Sequence, residues 1–220
     1  MCYRYSFASE QALVSLCRAL GVNVPPFFPR YNVGLTQRMP VVVRQNEQAG
    51  IAEQSFGITL PGRTSGERPM ILGNARAETL LAKPTFRDAA QHRRCLVPAD
   101  GFYEWGKTGR ARLPYYFYLK EHRPFFFAGL WQPETAASPA AFAIVTTEPN
   151  ALLRPIHDRM PVVLGPNSGP AWLGELPLEP ARLQQLSRPL PAEMMAGHRV
   201  HPRMNSARYE APDCVTPVTG

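Results

Sequence analysis

Lysine is scarce in this chain of 220 residues: Lys83, Lys107 and Lys120 stand against 21 arginines in a basic total of 24. A net charge of +7 and a pI near 9.5 therefore rest on guanidinium groups, which favour planar, bidentate grip on phosphate and stacking on bases. Such a surplus points to a polyanionic partner, and nucleic acid is the usual one. Cysteine is sparse as well. Cys2, Cys17, Cys95 and Cys214 are far apart, with no C-x-x-C pair and no Cys/His spacing that would hold zinc. A reduced, cytosolic protein without disulfide staples, structural metal or cofactor is the expectation. Long apolar runs are missing too: nothing approaches the ~20 residues of a membrane span. Arg4, Ser6, Ser9, Glu10 and Gln11 break up the start of the chain, which argues against a secretory signal. Internal repeats and linker-like shifts of composition are also absent. Residues 1–220 are therefore read as one domain, long enough to bury roughly 70% of the surface of the unfolded chain.

Residues 2–7 alternate aromatic and polar side chains as a strand does. Ser9 offers an N-cap, and Leu13, Leu16, Cys17 and Leu20 follow at helical spacing until Gly21. Pro25, Pro26 and Pro29 make Val22 to Gln37 an extended connection whose end, Arg30-Tyr31-Asn32-Val33, could wrap a site. Strands are predicted at 39–44 and 51–60, where β-branched residues are dense, with a polar loop between Pro61 and Pro69. A short helix is predicted over 77–83, then another with Phe86 and Ala90 facing inward. Further strands are predicted at 95–97, 101–105, 115–119, 125–130, 141–147 and 160–164, with a turn over 107–112, a helical turn at 150–154 and small helices at 172–173 and 181–186. The proline-rich tail should form no long regular element. The class that fits is α+β, built on an antiparallel, barrel-like sheet with short flanking helices.

Cys2 is the first candidate for chemistry. Once Met1 is removed, it carries an α-amine and a thiol on one residue, titrating near ~8 and ~8.5, and the thiolate is the nucleophile. An aldehyde meeting this pair forms a Schiff base, which the sulfur closes to a five-membered thiazolidine. A second-position Cys is otherwise a small residue at a frayed end. Glu104 lies within Phe102-Tyr103-Glu104-Trp105. A carboxyl held among rings is harder to ionise and becomes a proton carrier near neutrality, whereas an edge-strand Glu would face water. His157, in Ile156-His157-Asp158-Arg159-Met160-Pro161, sits at a turn before a strand, either as an acid/base group or as a structural contact of Asp158. Asn74 and Arg76 are two apart, so extended backbone turns both to one side. An amide there could orient an amine while the guanidinium holds phosphate; equally, they could be a turn residue and a surface Arg.

Taken together, Cys2, Arg30-Tyr31-Asn32-Val33, Asn74-Ala75-Arg76-Ala77-Glu78-Thr79, Pro98-Ala99-Asp100-Gly101-Phe102-Tyr103-Glu104-Trp105 and Ile156-His157-Asp158-Arg159-Met160-Pro161 resemble the SRAP family, the SOS-response-associated peptidases or abasic-site processing proteins. The likeness runs from residue 2 to about 165, more weakly through 200–205. It implies a DNA-damage protein that recognises an abasic site in single-stranded DNA and crosslinks itself to it through Cys2, with Schiff-base, lyase-like chemistry. By the resemblance Asn74 orients the sugar and amine, Glu104 and His157 are the acid/base pair, and Arg4, Arg76 and Arg159 contact the DNA backbone. It further implies a cytoplasmic monomer, nucleoid-associated on DNA, with no membrane partner. Two other readings stay open on the residues: a thiol autopeptidase using Cys2, and a non-covalent nucleic-acid binding module in which Cys2 is incidental.

Overall fold

Strands with large apolar side chains on both parities have no face left for water, and Phe125-Phe126-Phe127-Ala128-Gly129-Leu130 is such a run. The rest of the fold is built outward from it. The computed structural model describes residues 3–24, 26–45, 48–60, 68–108, 111–165, 168–174 and 177–218; the side chains of residues 12, 15, 16, 19, 20, 45, 107, 108 and 111 are left aside. Cys2 and most of the polar loop expected between Pro61 and Pro69 lie outside the described residues.

The chain opens with β1 (Arg4–Phe7) and α1 (Glu10–Leu20). The helix stops at Gly21, whose φ of +67° is the left-handed conformation that glycine adopts without strain. The stretch expected to be an extended connection contains β2 (Arg30–Gly34), which pairs antiparallel with β1. Next come β3 (Arg38–Gln45) and β4 (Gln48–Phe56), then β5 (Ile58–Leu60), β6 (Met70–Leu72) and β7 (Asn74–Arg76). The single strand expected over 51–60 is broken between β4 and β5 by Gly57, with φ +109°. The expected 77–83 helix is a 3-10 turn over Ala77–Thr79, followed by α2 (Pro84–His92) with Phe86 and Ala90 buried.

Five strands follow: β8 (Arg94–Ala99), β9 (Gly101–Thr108), β10 (Ala111–Leu119), β11 (Phe125–Gln132) and β12 (Ala141–Thr147). The expected 160–164 strand is split into β13 (Met160–Pro161), which pairs β12, and β14 (Val163–Leu164), which pairs β11. After α3 (Gly169–Leu173) and α4 (Pro180–Leu186), the tail supplies β15 (Met195–Arg199). That strand was not expected in a proline-rich segment, but its five residues lie between prolines and pair with β10.

One sheet runs in the order β15-β10-β9-β1-β2; a second runs β13-β12-β4-β3-β8-β11-β14, with β7 joined to β12. Because β12 pairs with both β11 and β4, the second sheet curls round on itself. It is barrel-like without being strictly closed, since β12 meets β4 at only Ala141↔Ser55 and Phe142↔Phe56. The sheet is mostly antiparallel, as expected, with those pairings and β12 with β7 as its parallel members.

Between the two sheets lies a core of Tyr5, Phe7, Phe56, Phe102, Phe117, Phe125, Phe127 and Phe142. Tyr5 meets Phe56 and Phe127 edge-on at 5.7 Å, a favoured aromatic geometry. Phe126, Ala128 and Leu130 face the other way, against α2, α3 and α4. There the buried Arg94 guanidinium donates to the carbonyls of Ala90, Trp172 and Gly174 at 2.5 to 2.8 Å, satisfying carbonyls at helix ends. A third cluster, with Tyr103, Tyr116, Val200, Met204 and Cys214, seals the outer face of the first sheet under the tail.

The far end of β1 is tied to the residue just ahead of β9 and to β10. Asp100 accepts from the backbone N–H groups of Ala8 and Ser9, its own N–H donates to the Ser6 carbonyl, and Ser6 Oγ lies 2.8 Å from Tyr116 Oη. The Tyr116 ring lies over Gly101, where a Cβ would sit 2.3 Å from it. Gly101→Ala is expected to lower stability by about 1–3 kcal/mol through overpacking, while Gly50→Ala, where a Cβ meets nothing within 4 Å, should have little effect. Denaturant unfolding of the two variants checks this.

Candidate functional site

Period-two alternation along β9 puts Phe102 into the inter-sheet core and Tyr103 into the outer cluster, so Glu104 points inward with Phe102. It is 1% exposed and stands opposite Tyr115 in the register with β10. The edge-strand alternative fails here, because β9 lies inside its sheet. Burial pushes the Glu104 carboxyl up to about 7, with Asp158 adding to the rise and Arg112 opposing it. A carboxyl in that range both holds and gives up a proton near neutrality.

His157 arrives from the turn after β12. Leu153 accepts from the N–H groups of Ile156 and His157, and Ile156 packs over Gly106, where a Cβ would come within 3.4 Å of its Cδ1. His157 Nε2 thereby lies 3.9 Å from Glu104 Oε2. The Arg159 backbone N–H donates to Nδ1 at 3.0 Å. A backbone N–H can only donate, so this contact favours the neutral ring with its proton on Nε2, the atom facing Glu104, while the Asp158 carboxylate, 2.9 Å from Nδ1, favours a proton on Nδ1. Burial lowers the imidazole below its ordinary value; Asp158, 2.9 Å from Nδ1 but with its side chain 83% exposed, pulls the other way.

Glu104 and His157 line a pocket of about 410 Å³ with Tyr3, Trp105, Arg112 and Asn205. The Tyr3 ring rests against Gly73, where a Cβ would fall 2.9 Å from Tyr3 Cδ1. Trp105 Nε1 donates to Asn205 Oδ1 at 2.7 Å, fixing the tail at the rim. The first described residue of the chain is thus a wall of the pocket, and Cys2 is bonded to it.

The family model for the SOS response associated peptidase (SRAP) matches residues 1–207. The chain belongs to the SRAP family. It is 33% identical over 193 residues to "Abasic site processing protein YoqW" of Bacillus subtilis (strain 168), covering 86% of each chain. To "Abasic site processing protein YedK" of Escherichia coli (strain K12) it is 28% identical, over 99% of this chain and all of the relative. A crystal structure of a protein from Bacteroides thetaiotaomicron superposes with a TM-score of 0.80 at 24% identity, covering 99% of this chain and 100% of that one, which shows the shared fold.

Of the described residues singled out in the sequence, this SRAP domain brings Glu104 and His157 together in the pocket, while Arg4, Asn74, Arg76 and Arg159 do not line it. Asn74, at the start of β7, follows the Gly73 on which Tyr3 lies, and its Nδ2 donates to the Gly73 carbonyl at 2.8 Å. Arg76 is exposed. Arg4 is half-buried and donates to Asn32 Oδ1 at 2.8 Å, while Asn32 Nδ2 donates to the carbonyls of Met204, Ser206 and Tyr209. Arg159 forms a two-pronged pair with Glu78, both bonds 2.8 Å. Tyr3, Glu78, Arg112 and Asn205 carried no individual signal in the sequence, although Glu78 stands inside the 74–79 motif and Asn205 at the end of the weaker 200–205 likeness. Among the described residues, no group of His, Cys, Asp and Glu is arranged to hold a metal ion, and no helix is long and apolar enough to cross a membrane.

The raised Glu104 affinity for its proton sets a stability dependence. The folded chain binds that proton more tightly than the unfolded chain, so this group's contribution is fullest below 4.5 and is lost as pH rises through about 7. Glu104→Gln is expected to be more stable than the parent at pH 8, on the order of 2 kcal/mol, with the difference gone near pH 4. Denaturant melts at both pH values check the sign.

Proposed function

We propose that this protein captures abasic sites in single-stranded DNA by covalent addition of Cys2 to the ring-opened sugar. The observation that carries the reading is the facing pair of Glu104 and His157 in a pocket walled by Tyr3. Cys2 is bonded to Tyr3, one Cα step of about 3.8 Å along the chain. The other three cysteines support it by elimination: Cys17, Cys95 and Cys214 are buried, and burial raises each thiol. Handling of abasic sites is in the names of YoqW and YedK.

An open abasic deoxyribose is an aldehyde. Glu104 moves the proton of the sugar's 1-hydroxyl to the ring oxygen as the ring opens. With Met1 removed, the Cys2 amine adds to the carbonyl carbon, Glu104 passes a proton to the departing hydroxyl, and water leaves as the C=N bond forms. The Cys2 thiolate then attacks that carbon, and a proton ends on nitrogen. The sum is amine, thiol and aldehyde going to thiazolidine and one water. His157 Nε2–H steadies the carboxylate form of Glu104 between transfers, and Asn74 orients the amine from beside Gly73. The exposed Arg76 and Arg112 meet the phosphates, while Arg4 and Arg159, held by Asn32 and Glu78, keep the site in shape. A site without a base in a single strand needs no unpairing to enter.

Intact-mass measurement after mixing with single-stranded DNA bearing one abasic site tests this. A denaturation-resistant adduct at the summed mass less one water is expected, absent for Cys2→Ala and formed more slowly by Glu104→Gln. Formation should slow as pH rises past about 7 and Glu104 gives up its proton. No adduct from protein verified to begin at Cys2 overturns the reading, and binding indifferent to both the lesion and Cys2 assigns the protein to non-covalent recognition instead.

A further inference from the structure

We infer that Glu78 is a positioning residue for this reaction: through Arg159 it locks the His157 turn onto the strand that carries Asn74. This inference rests on the reading above for what the site does, and on geometry alone for the link itself. Glu78 Oε1 and Oε2 accept from Arg159 Nη1 and Nη2, both at 2.8 Å. Nη2 also donates to the Thr146 carbonyl at 2.7 Å. Thr146 lies opposite Arg76 in the parallel register of β12 and β7, and its hydroxyl donates to the Ala75 carbonyl at 3.4 Å. One guanidinium therefore ties the turn after β7, the end of β12 and the 157–159 turn.

The same residue whose side chain is held this way presents the N–H that donates to His157 Nδ1. Moving Arg159 moves that N–H, and with it the ring orientation and the support for the tautomer with its proton on Nε2. The Arg159 side chain is 12% exposed, so the fork is shielded on one side and worth more than a surface pair. Burial raises the Glu78 carboxyl, yet the hydrogen bonds and charge of Arg159 outweigh it and the net is a lowered value. Glu78 is thus ionised while the pair exists. It makes no contribution to the pocket lining, so its influence on chemistry passes through Arg159.

Removing Glu78 has two opposite consequences. The His157 turn loses its tether, and misplacement of a reacting group by about 1 Å costs up to about a hundredfold in rate. Arg159 is released at the same time and the chain becomes more basic, which favours DNA binding. A merely structural residue would lower both rate and affinity.

The test compares the parent with Glu78→Gln and Glu78→Ala in three measurements: affinity for single-stranded DNA carrying a non-reactive tetrahydrofuran abasic analogue, adduct formation rate at saturating abasic DNA, and the nitrogen NMR signature of His157. Glu78→Gln keeps the shape of the side chain, and a folded spectrum for it keeps the comparison valid should Glu78→Ala unfold. Expected are unchanged or few-fold tighter binding, a rate lowered by about tenfold or more, and a smaller share of the Nε2–H tautomer. Rate and affinity falling in parallel, or an unchanged His157 signature, overturns the inference. If the parent forms no adduct at all, the proposed function fails while the His157 signature still decides whether Glu78 holds the turn.

Discussion

A carboxyl group on the core-facing side of β9 is the constraint on which the rest depends. Phe102 and Glu104 share one face of the strand, so the register that buries the phenyl ring also buries the acid. A slip of one residue would turn Glu104 to the outer face and Tyr103 into the inter-sheet core. The hydrophobic core therefore fixes where the acid stands, and the acid's raised proton affinity follows from that placement. The fold accepts a cost above neutral pH for a proton carrier in the pocket that Tyr3 lines, the exchange expected where a site is built at the expense of stability.

The arginines divide into two groups. Arg4, Arg94 and Arg159 work inward, on Asn32, on helix-end carbonyls and on Glu78. Each joins segments distant in sequence, and Arg94 and Arg159 exploit the forked guanidinium that a lysine could not replace. Part of the chain's preference for arginine is thus architectural. The outward group, with Arg76 and Arg112 exposed near the site, leaves the surface basic, and this is the part that suits a polyanion.

How much of this was legible in the sequence varied with how local the cause was. The first helix, with Ser9 ahead of it and Gly21 behind, and the aromatic strands from 101 to 147 follow from nearby side chains alone. So does the environment of Glu104, since rings on either side forecast burial. β2 and β15 were missed because both are held by partners far away in sequence, β1 and β10, and neither has a strong pattern of its own. The break at Gly57 and the shortening of the 77–83 helix have the same origin: pairing of β5 with β6 and of β7 with β12 overrides local preference. The facing of Glu104 and His157 came from the family likeness rather than from spacing. Arg159 shows the limit most plainly, because the likeness gave it only a contact with the DNA backbone and the folded chain brings Glu78 to it.

The central claim is that a buried, proton-holding carboxyl faces His157 in the pocket that Tyr3 lines. A carbon-NMR titration of the Glu104 side-chain carboxyl in the folded protein tests it most directly. The account requires a midpoint near 7, moved when His157 is replaced by Gln; a midpoint at the ordinary glutamate value near 4.5, indifferent to that replacement, would contradict it.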